Sequence, residues 1–335
     1  MSMSYFPQVT ITFEAALRDL NSAKEKPRAE AAHALRYLDD PAERTKATDA
    51  LIAVLDDPSP LVRSEAAMSL GDLGGEAAVT PLVACIDDAS NLVREAATLS
   101  LGKLGFDSAF EPVVAALKHE HADVRFQAAN ALVEFGAERA LAPLLAGLAD
   151  EDAEVVSAVA LALGSLGDEG AIEPLAAALD HPEGQTRFDV AYALTELGDD
   201  RGYEPLVARL AEDDLAWDAI DSLERIGEER AADPLGKLIN RKTAPVHVQL
   251  RAAGALLVLA RGHEQAPRAK EILLEGLKLR KIEQRGVAAD QLQRVGGKWA
   301  IEPLREAKKR RGSDVLDIDG AIAAINERSA LDNAQ

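Results

Sequence analysis

Five prolines recur at one interval. Pro81, Pro112, Pro143, Pro174 and Pro205 stand 31 residues apart, each followed by Leu or Val. A second ladder, Gly74, Gly105, Gly136, Gly167 and Gly198, keeps the same step. A fixed period of this length means one supersecondary unit copied along the chain, each copy burying its apolar face against its neighbours. The 335 residues would by length alone suggest about two globular domains. A repeat array overrides that expectation, because it grows by adding units rather than cores. Aromatic residues make up only 4 % of the chain, too few strand formers for a large sheet.

One copy, Gly75–Gly105, shows what the unit is. Leu82, Val83 and Ile86 form the apolar stripe of a short helix A. Pro81 suits the first turn of that helix, where a backbone N–H has no partner. Asp87 and Asp88 break the pattern, and the residues after them supply a cap for the next helix. Val93, Ala96, Ala97, Leu101 and Leu104 mark the buried stripe of helix B, and Gly105 is placed to end it with positive φ. The expected fold class is all-α, an α-solenoid (α/α superhelix) of about ten antiparallel helix pairs with a 31-residue repeat.

The units can be followed along the chain. A degenerate pair spans roughly Thr12 to Asp39, and good copies run Thr45–Gly74, Gly75–Gly105, Phe106–Gly136, Ala137–Gly167, Asp168–Gly198 and Asp199–Gly227. This predicts an N-terminal extension over 1–11, a single solenoid over 12–327 and a tail over 328–335. The solenoid is most regular over 45–227 and looser over 228–327, where its C-terminal part is basic. Irregular ends suit the caps that cover terminal apolar faces.

A charge ladder accompanies the period. Arg63, Arg94, Arg125 and Arg187 open successive B helices, with Val156 in one place. Asp57, Asp88 and Asp150 form an acidic row interrupted by His119 and His181. Charge-assisted hydrogen bonds between units are the expected use.

The Pro-Leu of helix A, the loop Asp-Asp, the Val-Arg, the Ala-Ala and ends such as Leu70-Gly-Asp-Leu-Gly74 together resemble the HEAT-repeat family, specifically the short HEAT-like units of the phycobilin lyase type. The resemblance implies that helix A lines the convex side and helix B the concave side. It is specific for fold and unspecific for function.

Helix B is therefore where a function is sought. Two sets of positions are expected to face the groove: Ser64, Glu95, Phe126, Ser157 and Phe188, and one turn on Met68, Leu99, Asn130, Leu161 and Tyr192. The candidate partner-binding residues are Phe126, Gln127, Asn130, Glu134, Phe188, Asp189, Tyr192, Glu196 and Trp217. They predict an aromatic floor with an acidic rim, suited to a protein or peptide that is basic and carries apolar anchors.

Composition bounds the rest. The net charge of −20 argues against duplex DNA, which needs phosphate neutralisation. No apolar run reaches the roughly 18 residues of a membrane span, and no signal peptide is visible, so a cytoplasmic location is expected. From Glu271 to Arg311, 11 Lys/Arg stand against 6 Asp/Glu, so the basic Lys278–Arg311 region offers a second contact or a solvated helix end. The chain has no Gly-rich phosphate loop and no Gly-x-Ser-x-Gly. Cys85 stands where other units have Val54, Ala116 and Ala178, which predicts a packing thiol. The pairs His119-Glu120 and His263-Glu264 fall in loops, unlike the groove-facing His-Glu dyads of the HEAT-repeat deoxyhypusine hydroxylases. Neither a metal site, a cofactor nor a catalytic residue is expected, and the reading is a non-catalytic scaffold or adaptor. The alternative that the resemblance implies is a phycobilin lyase-isomerase-like enzyme or a chaperone acting on a chromophore-binding protein.

Overall fold

A computed structural model describes residues 11–213 and 215–332. Apart from Ile11, the N-terminal extension over 1–11 lies outside the described residues. Among these residues the α-helices form ten pairs: α1 (Phe13–Asp19) with α2 (Glu25–Ala34), α3 (Pro41–Ala53) with α4 (Pro60–Leu73), α5 (Val79–Ala84) with α6 (Asn91–Leu104), α7 (Asp107–Ala116) with α8 (Ala122–Leu132), α9 (Ala137–Gly147) with α10 (Ala153–Leu166), α11 (Ile172–Ala177) with α12 (Gly184–Glu196), α13 (Tyr203–Arg209) with α14 (Ala216–Ile226), α15 (Ala232–Asn240) with α16 (Val246–Leu259), α17 (Ala266–Gly276) with α18 (Ile282–Val295), and α19 (Lys298–Lys308) with α20 (Ile318–Asp332). No strand occurs among them, and the fold is an all-α solenoid. The contacts divide the chain into two compact units between Asp199 and Asp200, and each is described by itself.

The helix limits follow from the side chains at them. Asp40 caps α3 by accepting from the backbone N–H groups of Ala42 and Glu43, and Asp152 caps α10 in the same way. The glycine ladder and Gly227 all have positive φ, and four of these glycines directly follow the second helix of their pair. Pro81 and Pro174 lie in the first turn of their helices. At Pro112 and Pro143 the helix begins earlier, and the proline stands inside it.

In the first unit one apolar core runs continuously from Ala16 to Leu194. Leu51, Leu70, Leu82, Leu101, Leu132, Leu144, Leu163, Leu175 and Leu194 are fully buried in it, one from each helix α3 to α12 except α7, which contributes Val113. Burying such a side chain stabilises by about 1.5–3 kcal/mol. The buried stripe read from sequence is in place: Leu82, Ile86, Val93, Ala96, Ala97 and Leu101 are buried, and Leu104 is half-buried. Cys85 is buried too, and burial pushes its thiol up to about 11, so it packs as a small apolar residue.

Successive second helices meet at small residues. A Cβ built on Gly102 of α6 would fall 2.6 Å from the Cα of Ala131 in α8. Gly71 meets Ser100 in α6, and Gly164 meets Ala193 in α12, with similar closeness. Only a residue without a Cβ leaves room for this approach.

The charge ladder links unit to unit. Arg63 donates two parallel hydrogen bonds to Asp88, at 2.8 and 2.7 Å, and Arg125 does the same to Asp150 at 2.8 and 2.9 Å. Arg28 extends the row one unit earlier by clamping Asp57. Each arginine also donates to its own loop: Arg63 to the carbonyl of Asp57, Arg94 to that of Asp88, Arg125 to that of His119 and Arg187 to that of His181. The aspartates accept a backbone N–H two residues on, from Ser59, Ser90 and Asp152. One side chain thus closes its own loop while the fork holds the next repeat.

The interruptions are paired as well. Arg-to-Asp partners lie 25 residues apart, so the partner place for Arg94 is His119 and that for Val156 is His181. Arg94 turns instead to Asp123 at 2.6 Å, and at the other place neither cation nor carboxylate is present. The histidines keep the turn. Nδ1 of His119 accepts from the N–H of His121, and Nδ1 of His181 accepts from that of Glu183.

Two expectations follow. Gly102→Ala should lower stability by about 1–3 kcal/mol in urea unfolding, because the added carbon overlaps backbone. A loose interface would give the opposite sign, since Ala favours helix by about 1 kcal/mol. Stability should also fall with acid. Arg28 holds Asp57 below the ordinary carboxylate range, aided by the Ser59 N–H. At Asp88 and Asp150 burial is the largest influence and pushes upward, but the arginine and backbone hydrogen bonds together outweigh it and leave both lowered. Folded values below unfolded ones mean that the stabilisation is complete above the unfolded carboxylate range, near pH 4, and is lost as pH falls through the depressed values. The urea midpoint should therefore drop below about pH 4, and Asp88→Asn should flatten that drop while costing about 1–3 kcal/mol at neutral pH.

Candidate functional site

The second helices of the first unit present a solvent-facing row one residue wide. Met68, Leu99 and Leu161 are 38 %, 47 % and 39 % exposed, and Asn130 and Tyr192 continue the row half-buried. These are large apolar side chains held in water by the helix period, since the two residues on either side of Met68, Leu99 and Leu161 are all buried. Leu61 and Leu92, in the first turns of α4 and α6, are exposed beside the row. Sequence reading passed over them, although they too lie 31 residues apart.

The other expected row behaves differently. Phe126 is half-buried, but Ser64, Ser157 and Phe188 are buried. The Ser157 hydroxyl lies 3.3 Å from that of Thr186 in α12, and the Ser64 hydroxyl donates to the Leu61 carbonyl of its own helix. Phe188 and Asp189, expected on the groove surface, are buried. Gln127 is half-buried, while Glu134 and Glu196 are exposed. Trp217 belongs to the second unit. There it stacks on His247, with centroids 6.0 Å apart, both being second residues of their helices α14 and α16.

Charge divides sharply between the units. Met1–Asp199 holds 14 Lys and Arg against 34 Asp and Glu, a balance of −20. The remainder of the chain totals, 23 and 23 out of 37 and 57, cancel in the second unit. Within the first unit, Arg36 lies 2.9 Å from Asp72 and 3.5 Å from Glu65, while Lys103 also pairs with Asp72 and His33 lies 3.1 Å from Glu65. Farther along, no cation lies within ion-pair distance of Glu95 or Glu134 among the described residues. The first unit therefore offers apolar anchoring points in a negative field.

The loop histidines have other work. Nε2 of His119 donates to Asp87 at 2.9 Å, and Nε2 of His263 donates to Asp233 at 3.1 Å, while each Nδ1 accepts a turn N–H. Both ring nitrogens of these imidazoles are thus engaged. In the basic region, Arg285 is buried and donates to the carbonyls of Leu279, Arg280 and Arg311. Lys308 pairs with Asp319, and Lys309 with Glu306. Much of that positive charge is bound internally.

No curated protein matches this chain. The CpcE–CpcF complex of phycocyanin lyase from Nostoc sp. PCC7120 is similar at 27 % identity over 81 % of this chain and 96 % of that one, with a TM-score of 0.38. The YibA protein of E. coli is 21 % identical over 82 % of this chain and 98 % of its own, with a TM-score of 0.53. The Kap95:Nup1 complex gives a TM-score of 0.61 at 12 % identity, covering 89 % of this chain and 49 % of that one. The last two show the shared solenoid fold. No helix among the described residues is long and apolar enough to cross a membrane. The family model described as HEAT repeats matches residues 13–102, 84–162 and 141–218, which together span most of the chain. With its paired helices, its 31-residue period and its inter-unit arginine ladder, the chain belongs to the HEAT-repeat family.

Proposed function

We propose that this chain is a non-catalytic cytoplasmic scaffold whose first unit receives a segment of a partner protein along its second helices. The observation that carries the reading is the exposed row Met68, Leu99 and Leu161 on a unit with a net charge of −20. Exposed apolar side chains at a regular spacing on rigid helices supply anchor points at low entropic cost. The surrounding carboxylates steer a basic segment and set its approach, while the apolar contacts hold it. The matching partner is an extended peptide or a helix with Lys and Arg between apolar residues. Kap95 is held in a complex with Nup1, and its likeness to this chain is one of fold.

Binding to the first unit should show two signatures. Affinity for a synthetic peptide alternating Leu with Lys and Arg should fall several-fold between low and physiological salt, as read by fluorescence anisotropy. A Leu99→Ser/Leu161→Ser/Tyr192→Ala variant with unchanged circular dichroism should lose about tenfold or more. It should also lose, from a side-by-side affinity capture, the preys that wild type retains. Equal affinity and identical preys for the two proteins would rule out this face.

A further inference from the structure

The second unit contains a cleft of about 330 Å³ where α16, α18 and α20 end and α19 begins. Arg261, Lys270 and Arg328 line it, with Leu257 and Trp299 as apolar wall and Gly297 at the entry to α19. Among the described residues no carboxylate lines it. Arg328 is fixed by donating to the Gly296 carbonyl at 3.0 Å. Among the described residues neither Arg261 nor Lys270 has a carboxylate within ion-pair distance, and the Lys270 ammonium lies 5.6 Å from the centre of the Trp299 ring. Three like charges gathered in one cleft repel one another unless an anion enters.

The backbone adds to this. The eleven-residue helix α19 has no side-chain cap at Gly297; the Ala300 N–H turns back to the Gly297 carbonyl, and the N–H groups of Lys298 and Trp299 are left for solvent or a ligand. A Cβ on Gly297 would come within 3.0 Å of the Trp299 indole nitrogen, so glycine is what lets the ring lie over the helix start. A second cleft, which shares Lys270 and Trp299 and is also lined by Lys278, contains Glu271 and Glu275, whose carboxylates oppose an anion there. The volume is that of a small-molecule site.

We propose that this cleft binds a small aromatic oxyanion, its phosphate or carboxylate head held by Arg261, Lys270 and Arg328 and its ring against Trp299. Charge-assisted hydrogen bonds hold the head, and the indole face supplies stacking area. The site is independent of the partner-binding reading of the first unit.

The chain has two tryptophans, so Trp217→Phe leaves Trp299 as its single indole reporter. Phenyl phosphate and benzoate are titrated into the full chain, with phenol as the uncharged control. The expected result is a saturable change in Trp299 emission with at least one of the two anions and none with phenol. The tighter anion assigns the head group. In an Arg261→Gln/Lys270→Gln variant with unchanged circular dichroism, the dissociation constant should rise about tenfold or more. As a second readout, the anion should raise the thermal midpoint of the unsubstituted protein and leave that of the variant unmoved. The proposal is overturned by the absence of any saturable change up to about 10 mM of either anion, by an equal response to phenol, or by equal affinity in the variant.

Discussion

Everything in the first unit depends on how closely its second helices approach. Gly71, Gly102 and Gly164 each lie against a small residue or backbone of the next second helix, at distances that a single added carbon would violate. Dispersion at such contacts is strong because both surfaces are flat and complementary. The same approach decides which positions remain outside. With one flank of each helix in contact and the opposite arc in the core, a narrow crest is left for solvent, and Met68, Leu99 and Leu161 occupy it. The candidate interaction row is thus a by-product of the packing rule.

The arginine ladder adds direction to this packing. An Arg fork matches a carboxylate in only one orientation, so each clamp sets the rotation of one pair relative to the next as well as its distance. Arg63 and Arg125 do this while also capping their own loops. The lapses in the ladder are informative. Where His181 replaces the acceptor, the donor place holds Val156, and no buried cation is left unpaired. Arg94, whose usual acceptor place holds His119, pairs with Asp123 through one guanidinium nitrogen.

Function follows from the division of charge. The first unit carries the whole net charge and the exposed apolar row, while the second is neutral, with positive charge left unpaired around Trp299. The two surfaces therefore suit ligands of opposite sign: a basic segment of a protein for one, a small oxyanion for the other.

The sequence by itself determined the repeat, the helix pairs, the glycine ends, the buried stripes and the thiol of Cys85, because each is a local or periodic property that spacing records directly. It also pointed to Met68, Leu99 and Leu161 as outward. It could not separate that row from the one beginning at Ser64, since the two lie only about 40° apart around a helix. Tertiary packing made the separation, leaving Met68, Leu99 and Leu161 exposed and Ser64, Ser157, Phe188 and Asp189 buried. The exchange of Asp123 for the absent acceptor of Arg94, and the gathering of Arg261 from a turn with Lys270 and Arg328 from two helices, were likewise decided only in three dimensions, because the groups that meet there are distant in the chain and share no period.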